Sequence, residues 1–128
     1  MNFQQAHGVY SLRLEGNIVF CDYAEGFNIQ GVIELKQELL ALTSSLKYWV
    51  LYQLPESSAG ITQDAIVEMM NSYVELQNTG CLAVAIVERS PFVRAGSPYR
   101  PEQLTMPINI NKDADYLYDW LVGFLPDN

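Results

Sequence analysis

The chain predicts an α/β domain with one mixed β-sheet of about five strands, and three observations carry that prediction. Two near-continuous apolar runs, Tyr48-Trp49-Val50-Leu51-Tyr52-Gln53-Leu54 and Cys81-Leu82-Ala83-Val84-Ala85-Ile86-Val87, have strand length and the pattern of strands covered on both faces. Between them lies an amphipathic helical stripe beginning near Thr62. Strand and helix patterns alternate along the chain in the order β-β-α-β-α-β-(α)-β-α, which argues for parallel strands joined by right-handed crossovers. At 128 residues the chain is long enough to bury a sizeable core, and it reads as a single domain over 1–128.

The elements follow in order. Tyr10, Leu12 and Leu14 alternate with Ser11 and Arg13, a period of two that marks a half-buried strand. Glu15-Gly16-Asn17 interrupts it and Ile18-Val19-Phe20-Cys21 resumes, so the chain opens with an antiparallel hairpin. The stretch from Asp22 to Asn28 reads as a connection, with Asn28 as cap for a helix bearing Ile29, Val32, Leu35, Leu39 and Leu42 on one side. After the first apolar run, Pro55-Glu56-Ser57-Ser58-Ala59-Gly60 is a six-residue loop. Thr62 is the expected cap of the second helix, Asp64 suits its dipole, and Ala65, Ile66, Met69, Met70, Tyr73, Val74 and Gln77 form its stripe. Gly80 stops it.

Beyond the second run, Phe92 and Val93 are positioned to start a short helix that Gly96-Ser97-Pro98-Tyr99-Arg100-Pro101 cannot continue, because proline lacks a backbone donor. Met106, Ile108 and Ile110 then alternate as a strand over 105–111. Asp113 caps a last helix with Ala114, Leu117, Trp120, Leu121 and Phe124 on one side.

Composition narrows the function classes. Apolar residues make up 49% and charged residues 17% of the chain, a globular balance. The formal net charge of -8 disfavours nucleic acids and anionic membranes, which need a basic footprint, and fits a protein partner with a basic face. Cys21 and Cys81 lie in no CxxC or Cys/His cluster and read as buried thiols in a reduced compartment. No signal-peptide pattern opens the chain and no apolar run approaches a membrane span, so a soluble cytoplasmic domain of bacterial type is expected.

No catalytic constellation emerges. His7 lies near the terminus and pairs with neither cysteine at useful spacing. Asp22, Glu25, Asp113 and Asp115 show no metal-loop pattern, and Met69 and Met70 belong to a packing stripe. No catalytic residues, metal or cofactor are expected. The best site candidate is the loop of Glu56, Ser57, Ser58 and Gly60 leading into Thr62, where free N–H groups at a helix start favour an anion or a phosphoserine. Tyr99 and Arg100, held between two prolines, are residue types favoured at interfaces. Phe92, Tyr99 and the Ser57 loop follow strand C-termini and are expected to line one shallow cleft at that edge.

The order of elements, the opening Tyr10-Ser11-Leu12-Arg13-Leu14-Glu15-Gly16-Asn17 and the loop Glu56-Ser57-Ser58-Ala59-Gly60 resemble the STAS fold of anti-sigma-factor antagonists, also termed SpoIIAA-like. In those antagonists an Asp-Ser/Thr-Ser/Thr-Gly loop opens the second helix, and its first hydroxyl residue is phosphorylated by a kinase that is also an anti-sigma factor. Here glutamate replaces the aspartate and Ala59 is an extra residue. Aligned from Glu56 the switch residue is Ser57; aligned from Gly60 it is Ser58. The resemblance implies a non-catalytic regulatory or interaction domain, with a kinase or anti-sigma-type regulator as protein partner and serine phosphorylation in the 55–61 loop. The alternative is a domain that binds an apolar or anionic small molecule without catalysis. A partner module predicts a surface without a deep pocket, whereas a ligand binder predicts a mostly apolar cavity.

Overall fold

The computed structural model describes residues 5–126 of the chain. The strands are β1 (Val9–Glu15), β2 (Ile18–Ala24), β3 (Gly26–Phe27), β4 (Trp49–Pro55), β5 (Gly60–Ile61), β6 (Cys81–Val87) and β7 (Ile108–Asn111). The helices are α1 (Ile29–Leu42), α2 (Gln63–Asn78) and α3 (Ala114–Val122). The main sheet has the order β1-β2-β4-β6-β7. β1 is antiparallel to β2, and the four strands from β2 to β7 run parallel. The two apolar runs are therefore parallel neighbours, and neither lies at an edge.

Their continuous apolarity has the expected cause. On one face Val19, Cys21, Trp49, Leu51, Val84 and Ile86 pack with residues of α1 and α2. On the other Ile18, Phe20, Val50, Tyr52, Ala83 and Ala85 pack against Leu117 and Leu121 of α3. A bulge adjusts the pattern: Trp49 faces Cys81 and Leu51 faces Val84, so β6 advances three residues while β4 advances two. Cys81 and Val84 thereby reach the same core.

The hairpin turns through Gly16 at φ 59, a left-handed conformation that a Cβ disfavours. Asn28 caps α1, its Oδ1 accepting from Gly31 N at 2.9 Å. Asp113 caps α3 by accepting from Tyr116 N at 3.1 Å. Thr62 holds the cap position of α2 without performing the expected capping. Its hydroxyl donates instead to Asp64 Oδ1 at 2.6 Å.

Three connections differ from the sequence expectation. β2 continues to Ala24, and β3 follows where a plain connection from Asp22 to Asn28 is predicted. The reason lies in the other connection. Gly26 and Phe27 pair in parallel with Gly60 and Ile61, so each segment satisfies the other's backbone groups. That pairing also trims the expected six-residue loop, because Pro55 ends β4 and Gly60 begins β5. After β6, no helix starts at Phe92. Residues 91–96 form turns and Ser97–Tyr99 a single 3-10 turn. Pro98 sits at its start, where the missing N–H costs no helical bond. The last strand is confined to Ile108–Asn111, the part that reaches β6. Among the described residues, no helix is long and apolar enough to cross a membrane.

Candidate functional site

Because β4 and β6 are parallel, the segments leaving their C-terminal ends share one edge of the sheet. Near that edge α1 and α2 do not close fully on the sheet. A cavity of about 370 Å³ lies between them, within the size class of small-molecule sites, roughly 300–1,000 Å³. Leu35 and Leu39 of α1 and Met69, Met70 and Leu76 of α2 form its walls, and Cys21, Leu51, Ile86 and Ile110 of the sheet its floor. Gly60 and Ile61 line one side of the mouth, Phe92, Val93 and Gly96 the other.

The 90–100 segment is a short lid with definite anchors. Ser90 Oγ donates to Ala59 O across the mouth and accepts from Phe92 N at 3.2 Å. Arg94 reaches Glu88 at 2.7 Å and donates to Ile110 O at 3.2 Å. Arg100 donates to Leu104 O at 2.9 Å and to Met106 O at 2.6 Å. Gly96 lies so near α2 that a Cβ there would stand 2.7 Å from Met69 Cε and Met70 Sδ, so the absence of a side chain lets the lid approach.

Polar groups gather on the floor. Gln53 Nε2 donates to Tyr73 Oη at 2.8 Å. Tyr23 lines the cavity beside them, and its hydroxyl forms no hydrogen bond with the described residues. Burial pushes the Cys21 thiol up to about 12, with Asp22 adding to the rise. Burial also raises Tyr73 to about 12, against the lowering effect of its bond to Gln53. Tyr23 is raised well above its ordinary value by burial first, then by Tyr73 and Cys21. All three shifts share their largest cause: burial disfavours negative charge. Each cation of the lining has a partner, neutral in the case of Arg100. Lys36 pairs with Glu75 at 3.0 Å, Arg94 with Glu88, and Arg100 with backbone carbonyls.

The sequence-derived site residues divide. Gly60, Phe92 and Arg100 line the cavity. Glu56, Ser57, Ser58 and Tyr99 are exposed outside its lining, and Thr62 faces Asp64. Of the residues expected to share a cleft, Phe92 and Gly60 line this space together, and Tyr99 and Ser57 do not. The 56–59 turn is held firmly nonetheless. Glu56 N donates to Tyr23 O at 2.8 Å, Gly60 N to Glu25 O at 2.9 Å, and Glu25 N to Ser58 Oγ at 3.2 Å. His7 is exposed, its backbone N–H donating to Asn28 Oδ1 at 2.9 Å. Among the described residues no group of three His, Cys, Asp or Glu side chains is placed to hold a metal ion.

Sequence reasoning passed over Tyr23, Gln53 and Tyr73. Gln53 carried a usable signal, since a polar side chain within a strand buried on both faces must find a partner. Tyr73 sat inside an apolar stripe and Tyr23 in a supposed connection.

No protein-family model matches the chain, and no curated protein matches it in sequence. Among solved structures it is similar to an uncharacterised protein of the DUF3478 family from Shewanella loihica PV-4, described as having a SpoIIAA-like fold. The two share 11% identity with a TM-score of 0.57, over 94% of this chain and 98% of that one. The fold is SpoIIAA-like. The STAS resemblance drawn from the order of elements therefore holds at the level of fold.

Proposed function

We propose that this chain is a non-catalytic binding domain whose cavity between the sheet, α1 and α2 takes a small, mostly apolar molecule. The single observation that carries the reading is the cavity of about 370 Å³ with its aliphatic and methionine walls and its lid. Methionine side chains adapt their shape to a guest, and Met69 and Met70 form one wall and touch the lid. Cys21 and Cys81, the thiols available as nucleophiles, are buried and held as thiols by that burial, which supports binding over catalysis. Two free thiols also fit a reduced, cytoplasmic setting.

The test is an NMR titration of the protein with propylbenzene. Saturable shifts are expected at Leu35, Met69, Ile86 and Val93, and Leu35→Trp, which fills the space, is expected to abolish them while leaving the fold intact. Shifts scattered over the surface, or none, would overturn the reading.

A second reading, as a regulatory domain docking a protein partner, rests on the 56–59 turn. Its backbone is fixed by Tyr23 of β2 and by Glu25 between β2 and β3, while the Ser57 side chain stays exposed. By resemblance to STAS antagonists, a kinase or anti-sigma-type regulator would read this turn. The acidic surface supports a basic protein partner over nucleic acid. Capture of a partner that depends on Ser57, scored with phosphopeptides spanning 55–63, tests it. Partner capture unchanged in Ser57→Asp, with no phosphopeptide found, would remove it.

A further inference from the structure

We infer that the ligand of this cavity carries one neutral hydrogen-bond acceptor, a carbonyl group, that seats on the hydroxyls of Tyr23 and Tyr73 while its apolar body lies between α1 and α2. The inference deepens the binding reading above and rests on it. Two observations select a donor-lined floor. Tyr73 Oη already accepts from Gln53 Nε2 at 2.8 Å, so its own proton is left to donate. Tyr23 lines the same space, and its hydroxyl has no hydrogen bond among the described residues. Tyr23 is half-buried on the lining, and a hydroxyl without a protein partner is free to donate to a guest.

Charge then selects a neutral acceptor over a carboxylate or phosphate. Cys21 and Tyr73 are both pushed up to about 12 by burial, so an anion on this floor meets the same penalty as a thiolate or phenolate. The lining offers little to offset it. Lys36 is neutralised by Glu75 and Arg94 by Glu88, while Arg100 keeps its charge and turns its Nε and Nη2 donors to the carbonyls of Leu104 and Met106. A carbonyl oxygen accepts two hydrogen bonds without bringing charge, and both hydroxyls can donate to it. The apolar ligand is thereby favoured over the anionic one of the alternative reading.

Three probes of similar shape separate the possibilities: propylbenzene, propiophenone and phenylacetate, titrated by NMR at neutral pH against the parent protein, Tyr23→Phe and Tyr73→Phe. Propiophenone is expected to bind about threefold to a hundredfold more tightly than propylbenzene, the effect of one or two neutral hydrogen bonds. Phenylacetate is expected to bind more weakly than either. Tyr23→Phe is expected to reduce the preference for propiophenone and leave propylbenzene binding unchanged. It removes no bond among the described residues, so it decides the matter even if Tyr73→Phe folds poorly. Equal binding of propylbenzene and propiophenone, or a preference undiminished in Tyr23→Phe, overturns the carbonyl assignment while the cavity reading stands. Tightest binding by phenylacetate overturns the requirement for neutrality. Failure of propylbenzene itself to shift the lining residues overturns the cavity reading, and this inference with it.

Discussion

Gln53 Nε2 lies 2.8 Å from Tyr73 Oη, and this bond joins the middle strand of the sheet to α2 inside the molecule. Gln53 is only 7% exposed, within a strand apolar on both faces, so its amide depends on α2 for a partner. Tyr73→Phe keeps the ring and deletes that partner. Urea unfolding is expected to show a loss of about 1–3 kcal/mol, the cost of an unsatisfied buried polar group. Gln53→Leu in the Tyr73→Phe background is expected to recover part of it, because no orphaned amide then remains. Simple additivity of the two changes would mean that the bond contributes nothing to stability.

Phe92 acts at the mouth. Its side chain is 54% exposed, and its ring lies 3.5 Å from where a Cβ on Gly60 would stand. Phe92→Ala removes little buried contact, so stability is expected to move by less than about 1 kcal/mol. The exchange rate of bound propylbenzene, read from NMR line shapes, is expected to rise severalfold because the lid then closes less of the opening. An unchanged exchange rate would show that guests enter elsewhere.

Much of this architecture was legible in the residues. Period-two alternation marked β1, the two apolar runs marked β4 and β6, and the caps at Asn28 and Asp113 follow from side chains whose oxygens reach the first free N–H groups. The pairing of Gly26-Phe27 with Gly60-Ile61 was not legible, because a two-residue strand has no period and exists only through its distant partner. The same limit hid the cavity. An unfilled volume is a property of how Leu35, Met69 and Ile86 approach one another from three elements, and no local pattern encodes it. The lid's conformation depends likewise on Gly96 meeting Met69 and Met70.

The thiols give a pH prediction with a definite sign. Cys21 and Cys81 are both raised from 9.0 to about 12 in the folded protein. Above the unfolded thiol pKa the unfolded chain therefore binds fewer protons than the folded one, and stability falls as pH rises. The contribution is fully present below about pH 9 and is lost as pH climbs through about 12. Tyr73 and Tyr23 add a loss of the same sign at higher pH, since their folded pKa values are also raised. Urea midpoints are expected to drop across this alkaline window, less steeply in Cys21→Ala and Cys81→Ala. Iodoacetamide at about pH 8 should label both thiols only after unfolding, because the thiolate is the reactive form. Rapid labelling of the native protein would contradict the burial argument.

Glu25 has φ 65, a left-handed backbone in a residue that carries a Cβ. Two bonds keep it there: its N–H donates to Ser58 Oγ and its carbonyl accepts from Gly60 N. Glu25→Gly relieves the strain where the conformation is already fixed. Thermal or urea unfolding is expected to show a gain of up to about 1 kcal/mol, reduced by the greater freedom of glycine in the unfolded chain. A clear loss of stability would mean that the glutamate side chain contributes an interaction outweighing the backbone strain.

The same bond separates the two serines of the 56–59 turn, which the sequence left equivalent. Ser58 Oγ accepts from Glu25 N at 3.2 Å and so helps hold the strained residue in place. Ser57 is exposed, and its hydroxyl forms no hydrogen bond with the described residues. If a kinase reads this turn, the accessible hydroxyl of Ser57 is the expected acceptor. Modifying Ser58 would place a bulky dianion where Glu25 N and the turn now meet. Ser44 and Ser45 follow the C-terminal end of α1, where the helix dipole opposes negative charge, and are expected to stay unmodified. Ser57→Asp is expected to leave thermal stability nearly unchanged and to weaken binding of a partner that docks here. Ser58→Ala is expected to lower stability by about 0.5–1.5 kcal/mol through loss of the bond to Glu25 N, with little direct effect on the partner. Phosphopeptide mapping that places the phosphate on Ser58, or equal stability losses in the two variants, would reverse this assignment.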